Sequence, residues 1–176
     1  MKEMMLRIKG TQKRQGEPID IIEFMTMGRI YQKGDATYLV YDETEISGME
    51  GSTTTIRVTE DSARMIRFTG DKEQNTRLDF DKGKTFQGYF STPFGMIEVA
   101  VTTNELVNNL SSEDGGHINI DYDVELMGVI EAKNTLDIEV IGGKNNEQNV
   151  QRRLCTGDRL SPFRHRNWRS VYLRTG

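Results

Sequence analysis

The stretch H-I-N-I-D-Y-D-V-E-L, His117 to Leu126, alternates strictly between polar and apolar side chains. Ile118, Ile120, Tyr122, Val124 and Leu126 form one set, and Asn119, Asp121, Asp123 and Glu125 the other. A period of two places the first set on one face of a strand and the second on the opposite face, so one side meets a core and the other water. Shorter versions of the pattern occur at Met5–Lys9, Thr55–Thr59, Met65–Thr69, Arg77–Phe80, Met96–Val101 and Leu136–Val140. Turn chemistry separates them: K-G-D at Lys33–Asp35, E-D-S at Glu60–Ser62, D-K-G at Asp81–Gly83 and E-D-G-G at Glu113–Gly116. Gly and Asp tolerate the positive φ values that tight hairpins demand.

Two segments, Ile19–Ile30 and Ala36–Ile46, carry apolar residues on both faces, which predicts strands covered on their outer side as well. The stretch N-E-L-V-N-N-L, Asn104–Leu110, has spacings that also suit one or two helical turns; its neighbours argue for strand. Short strands without long crossover helices predict next-neighbour antiparallel pairing. The fold class is therefore all-β, a single up-and-down barrel of roughly eight strands, with a β-sandwich as the alternative.

A chain of 176 residues is long enough for one domain with its own core. One cysteine, Cys155, cannot form an internal disulfide, which fits a reducing cytoplasm. The opening M-K-E-M-M-L-R-I-K-G has no apolar signal region, and no apolar run reaches the length of a membrane span. The expectation is a cytoplasmic protein.

Charge divides the chain. From residue 142 onward there are eight basic residues against two acidic ones, +6, which leaves −10 on the first 141 residues of a chain whose total is −4. This final segment, 142–176, shows no alternation and holds the lone Cys155 and Trp168 and one of two histidines, His165. Its composition resembles an unselected reading frame or an appended stretch more than a structural element. The functional alternative is a basic arm for RNA, with Phe163 and Trp168 stacking between arginines.

Candidate chemistry within 1–141 is sparse. S-G-M-E-G-S-T-T-T-I-R-V, Ser47–Val58, has glycines and hydroxyls, but Gly48 and Gly51 are too close for a P-loop, no lysine follows, and the next residues are β-branched. Glu50 would repel an anion, so the stretch reads as a bend between strands, with glycine supplying unusual φ values, the alternative being a polar rim that meets a ligand. Asp79, Asp81, Asp121, Asp123 and Glu125 alternate with core residues and belong on the wet face; the alternatives are an adventitious cation site and acid–base work, which would need one member desolvated. His117 lies at a turn, and with no cysteine in this part of the chain, zinc sites and nucleophilic triads lack material. T-F-Q-G-Y-F-S-T-P-F-G-M-I-E-V, Thr85–Val99, predicts Phe86, Tyr89, Phe90, Phe94 and Met96 packed around a T-P-F-G turn, as core or as the lining of a ligand pocket.

Taken in order, L-R-I-K-G-T-Q, Y-L-V-Y-D-E-T-E-I-S-G-M-E-G-S-T-T-T-I-R-V, Y-F-S-T-P-F-G-M-I-E-V-A-V-T-T and E-D-G-G-H-I-N-I-D-Y-D-V-E-L resemble the YwiB-like proteins of Gram-positive bacteria, a family of unknown function. The resemblance spans Met4–Val140 and implies a lipocalin-like, calycin-type barrel. It brings no activity, cofactor or catalytic residue with it. The expected organisation is a barrel domain over 1–141 and a basic extension over 142–176. The expected function is non-enzymatic: a barrel binding a small, partly apolar molecule in or at the mouth of its interior, with no cofactor, no metal and no membrane partner. The alternative is a filled barrel acting through its surface as an interaction or structural module, and the weaker alternative is RNA binding through the tail. No residue is singled out as a site.

Overall fold

The computed structural model describes residues 1–70, 75–92, 95–126 and 129–141, without the side chains of 90–92, 95–96 and 129–130. The described chain forms β1 (Lys2–Lys13), β2 (Asp20–Lys33), β3 (Ala36–Asp42), β4 (Thr53–Val58), β5 (Ser62–Phe68), β6 (Thr76–Asp81), β7 (Thr85–Thr92), β8 (Gly95–Asn108), β9 (Gly115–Leu126) and β10 (Val129–Ile141). One 3-10 turn, Glu45–Ser47, interrupts the β3–β4 connection.

Each strand pairs antiparallel with the next, and β10 returns to β1 from Met5↔Ile141 to Lys13↔Lys133, which closes the sheet. Closure decides against a sandwich and pairs each strand on both sides over part of its length, although Asp20–Met27 of β2 run beyond their ladder with β3. Ten strands stand where roughly eight were expected. One reason is β7, whose Q-G-Y-F-S-T run has no readable alternation. Asn104–Leu110 is not a helix; most of it is the far half of β8, put out of phase by a bulge between Thr103 and Glu105.

Barrel diameter grows with strand number, so a ten-stranded lumen needs bulk to fill it. Leu6, Ile30, Leu39, Ile56, Leu78 and Ile120, from six different strands, each retain 1% of their surface or less. A water-sized void beside any of them would register as accessible surface, so the lumen is packed at their level. Phe80 and Tyr122 meet edge to face within it, ring centres 5.0 Å apart.

Two expectations are corrected by the side chains. No described segment covers the outer face of β2, where Ile21, Met25 and Met27 are exposed. Tyr89 points outward and is exposed instead of joining a core around the T-P-F-G turn, whose Pro93 and Phe94 lie outside the described residues. The 142–176 extension likewise lies outside them. Among the described residues no helix is long and apolar enough to cross a membrane.

Candidate functional site

Eight polar residues are buried among the described ones, and seven of them gather towards one end of the barrel: Gln12, Glu43, Ser47, Ser52, Thr54, Thr76 and Asn134. This is the end reached by the β1–β2, β3–β4 and β5–β6 connections. Strand register builds the layer. Tyr41 pairs with Thr54, Thr54 with Arg67 and Arg67 with Thr76, so four inward side chains from β3 to β6 lie side by side. Each is in phase with the core residues of its own strand, Leu39, Ile56, Met65 and Leu78.

Glu43, just past β3, organises this layer. Its Oε1 accepts a hydrogen bond from Thr54 Oγ1 at 2.5 Å and another from Arg67 Nε at 2.9 Å. Arg67 Nε also reaches Thr54 Oγ1 at 3.1 Å. The Glu43 side chain is 2% exposed and that of Arg67 14%, so the carboxylate is sealed while the guanidinium has a path to solvent. These contacts use one of the five N–H donors of Arg67. Burial pushes the Tyr41 phenol well above its ordinary pKa and the Glu43 carboxylate adds to the rise; Arg67 and the Thr54 hydroxyl oppose it more weakly. Tyr41 therefore stays protonated at neutral pH and remains a hydrogen-bond donor.

The glycine-rich stretch that looks like a phosphate loop is the wall of this mouth. Gly48 (φ 71°) ends the 3-10 turn and Gly51 (φ 83°) turns the chain into β4, so both occupy the left-handed region that favours glycine. Backbone bonds tie it down: Glu43 N–H donates to Ser52 O at 2.8 Å and Ser52 N–H to Met49 O at 3.1 Å. Ser47 Oγ donates to Thr44 O at 2.8 Å, which turns that hydroxyl to the backbone. On the other flank Gln12 Nε2 donates to Asn134 Oδ1 at 2.9 Å across β1 and β10. Among the described residues, Thr44 Oγ1 and Asn75 Oδ1 at this same end are buried without a hydrogen-bond partner.

The arrangement is a set of charged and hydroxyl groups over an apolar floor, suited to hold one polar group of a molecule by charge-assisted hydrogen bonds. The acidic residues singled out in sequence lie elsewhere. Asp121 accepts from Asn104 Nδ2 on the outer face, Asp79 sits between Arg64 and Arg77, and Lys84 Nζ reaches Asp81 at 2.6 Å. His117 is also external, 3.0 Å from Asp137. Among the described residues no three His, Cys, Asp or Glu side chains converge as a metal site would require. A surface depression of about 430 Å³ at the opposite end, lined by Glu60, Asp61, Asp81, Lys82, Lys84 and Leu106, is separate from the polar layer.

Neither Glu43 nor Arg67 stands out in the sequence. The available signal was phase: Arg67 continues the Ala63–Met65 set, but Ile66 and Phe68 make the other face equally apolar.

The crystal structure of the ywiB protein from Bacillus subtilis superposes with a TM-score of 0.67 over 81% of this chain and 92% of that one, at 24% identity, which is a likeness of fold. No curated protein matches the chain. The family model described as a domain of unknown function (DUF1934) matches residues 6–138, the strands that build the barrel and the polar layer, and the chain accordingly belongs to that YwiB-like family.

Proposed function

We propose that this protein is a non-enzymatic, lipocalin-like barrel that takes a small, partly apolar molecule at its polar mouth. One observation carries the reading: the buried polar residues collect at one end, over a lumen otherwise packed with aliphatic side chains. Placing a carboxylate and a guanidinium there is costly unless they are paired, and Arg67 keeps the limited exposure a ligand needs to reach it. The ligand this suits has an anionic or hydrogen-bond-accepting end for the unused N–H donors of Arg67 and a short apolar remainder. The packed floor leaves no room for a long chain running down the axis.

The non-enzymatic reading is supported by the location of His117 on the outer face, away from the polar layer. A cytoplasmic location is supported by the lone cysteine. Independence from membranes is supported by the polarity of the wall. Arg7, Arg64 and Asp79 face outward while leucine and isoleucine face inward, the reverse of a barrel that sits in lipid.

Native mass spectrometry of the full chain isolated from its host, beside the denatured sample, tests the proposal. A discrete mass released on denaturation, and lost from Arg67→Met, supports it. A bare chain mass together with no uptake of an environment-sensitive apolar dye overturns it.

A second reading, a filled barrel that works through its outer surface, is favoured by the packing of the lumen.

A further inference from the structure

We propose that the outer face of β1 and β2 is a two-fold interface for a second copy of this chain. The proposal rests on the second reading above, the filled barrel acting through its surface, and names both surface and partner.

The outward row of β2 is Ile21, Glu23, Met25, Met27, Arg29 and Tyr31. Met25 and Met27 are 48% and 54% exposed, and Ile21, Glu23 and Arg29 are exposed beside them. Methionine is costly to leave in water and adapts readily to an opposing surface. The charges around it identify that surface.

Consider two copies face to face with β2 antiparallel to its mate, the two-fold axis lying in the interface at the level of Thr26. Met25 then meets Met27 of the other copy, Glu23 meets Arg29, and Ile21 meets Tyr31. Every contact occurs twice, as an isologous interface requires. Glu23 is steadied by Arg7 at 2.6 Å, whereas Arg29 has no ion pair among the described residues. Tyr31 is backed by a parallel stack on Tyr38, ring centres 5.0 Å apart, and offers Ile21 a firm plate.

The neighbouring strand obeys the same operation without being chosen for it. Register places Glu3 beside Arg29, Met5 beside Met27, Arg7 beside Met25 and Lys9 beside Glu23. The same rotation brings Glu3 opposite Lys9, and Met5 opposite the aliphatic stem of Arg7. Glu23 and Arg29 on β2 and Glu3 and Lys9 on β1 thus invert sign about one centre, while Arg7 is held by Glu23 and Glu139 of its own chain. That makes the face complementary to itself and poorly matched to a parallel copy, where Glu23 would meet Glu23 and Arg29 would meet Arg29.

The test is sedimentation of the full chain with charge reversals. The unaltered chain is expected to be a dimer at micromolar concentration. Glu23→Arg and Arg29→Glu, each alone, place like charges opposite one another twice and should weaken self-association about 100-fold. Mixing the two variants sets the introduced arginine of one copy against the introduced glutamate of the other, and the native Arg29 of the first against the native Glu23 of the second. The mixture should therefore regain a dimer holding one copy of each. A fold defect within either chain cannot be repaired by mixing. If Glu23→Arg loses its fold with the Arg7 pair, Glu3→Lys mixed with Lys9→Glu repeats the test on β1. A monomeric full chain overturns the proposal, including one whose β1–β2 face is covered by its own residues 142–176. A dimer indifferent to the reversals, or single variants not rescued by mixing, overturns it equally. None of these variants touches the mouth, so ligand or dye uptake there should be unchanged, and the two readings fail separately.

Discussion

Replacing Arg67 by methionine keeps most of the side-chain volume and removes the charge. Glu43, 2% exposed, then retains a carboxylate with neither a counter-charge nor water. Two unit charges about 4 Å apart attract by about 4 kcal/mol at an effective dielectric of about 20. Measured losses for breaking buried pairs are about 3–5 kcal/mol. With a urea slope of about 2 kcal/mol/M, the unfolding midpoint should fall by about 1.5–2.5 M. Glu43→Met should cost less, because the abandoned guanidinium, at 14% exposure, can turn toward solvent. Thr54→Val removes the 2.5 Å bond to Glu43 and should cost about 1.5–3 kcal/mol. The double variant Glu43→Met, Arg67→Met leaves no buried charge and should recover most of the loss, since apolar replacement of a buried pair is often close to neutral. Urea titration followed by far-ultraviolet circular dichroism across this cycle isolates the coupling. A midpoint shift below about 0.5 M for Arg67→Met, or a double variant as unstable as the sum of the singles, would refute the assignment of Glu43 and Arg67 as a buried pair.

Other consequences follow from packing and titration. A Cβ on Gly28 would lie 2.4 Å from Leu6 Cδ1 and 3.2 Å from Val40 O, so Gly28→Ala must displace a fully buried leucine; a loss of about 1–3 kcal/mol in the same assay is expected. Leu39→Ala, at a site with no exposure, should cost about 2–5 kcal/mol and raise dye uptake above that of the parent; a cost below about 1 kcal/mol would show that the lumen is not packed at that level. Burial pushes the Asp137 carboxyl up, but hydrogen bonds from His117 and Asn119 and the nearby Lys9 outweigh it and hold the group below its ordinary range. A lowered folded value gives stability that is present above the ordinary aspartate range and lost as pH falls through the folded value. Asn119→Ala should therefore flatten the acid limb of the urea midpoint against pH below about 4, by a fraction of a kcal/mol at this half-exposed site; a steeper limb would be the wrong sign.

Alternation made β9 readable residue by residue, and its inward set Ile118, Ile120 and Val124 is buried as the pattern requires. The hairpins at Gly34 and Gly83 were readable because glycine there has φ of 64° and 75°, values that sequence punctuation reports directly. Closure also followed from next-neighbour pairing. The failures have a common cause, which is that alternation reports phase and not environment. On β2 both phases are apolar, and nothing local says that Phe24 and Ile30 face a core while Met25 and Met27 face water. On β5 the inward phase ends in Arg67, which becomes meaningful only when register brings Thr54 and Glu43 beside it. Glu43 itself lies outside any strand, so no periodicity applied to it.

The two exceptions to the inside–outside rule are joined by one piece of chain. Residues 43–52 carry Glu43 inward, present Ile46 at 53% exposure, and run their 3-10 turn alongside β2, the strand bearing Met25 and Met27. Strain in this connection should therefore be felt at the mouth and on the outer face, and a pair of glycines allows a controlled trial. Gly51 (φ 83°) and Gly83 (φ 75°) both have left-handed backbone, and a Cβ on either meets nothing within 4 Å. Alanine at each position adds backbone strain of about 1–2 kcal/mol and no clash. Gly83→Ala strains the β6–β7 hairpin, far along the chain from both features, and should lower the urea midpoint without changing self-association or dye uptake. Gly51→Ala should lower the midpoint by a similar amount and also weaken both, because the bond from Glu43 N–H to Ser52 O carries a shift beside Gly51 to Glu43, and Ile46 lies on the same connection. Equal behaviour of the two variants in sedimentation and dye binding would show that the mouth and the β2 face are mechanically independent, and that the 43–52 connection is only a loop between them.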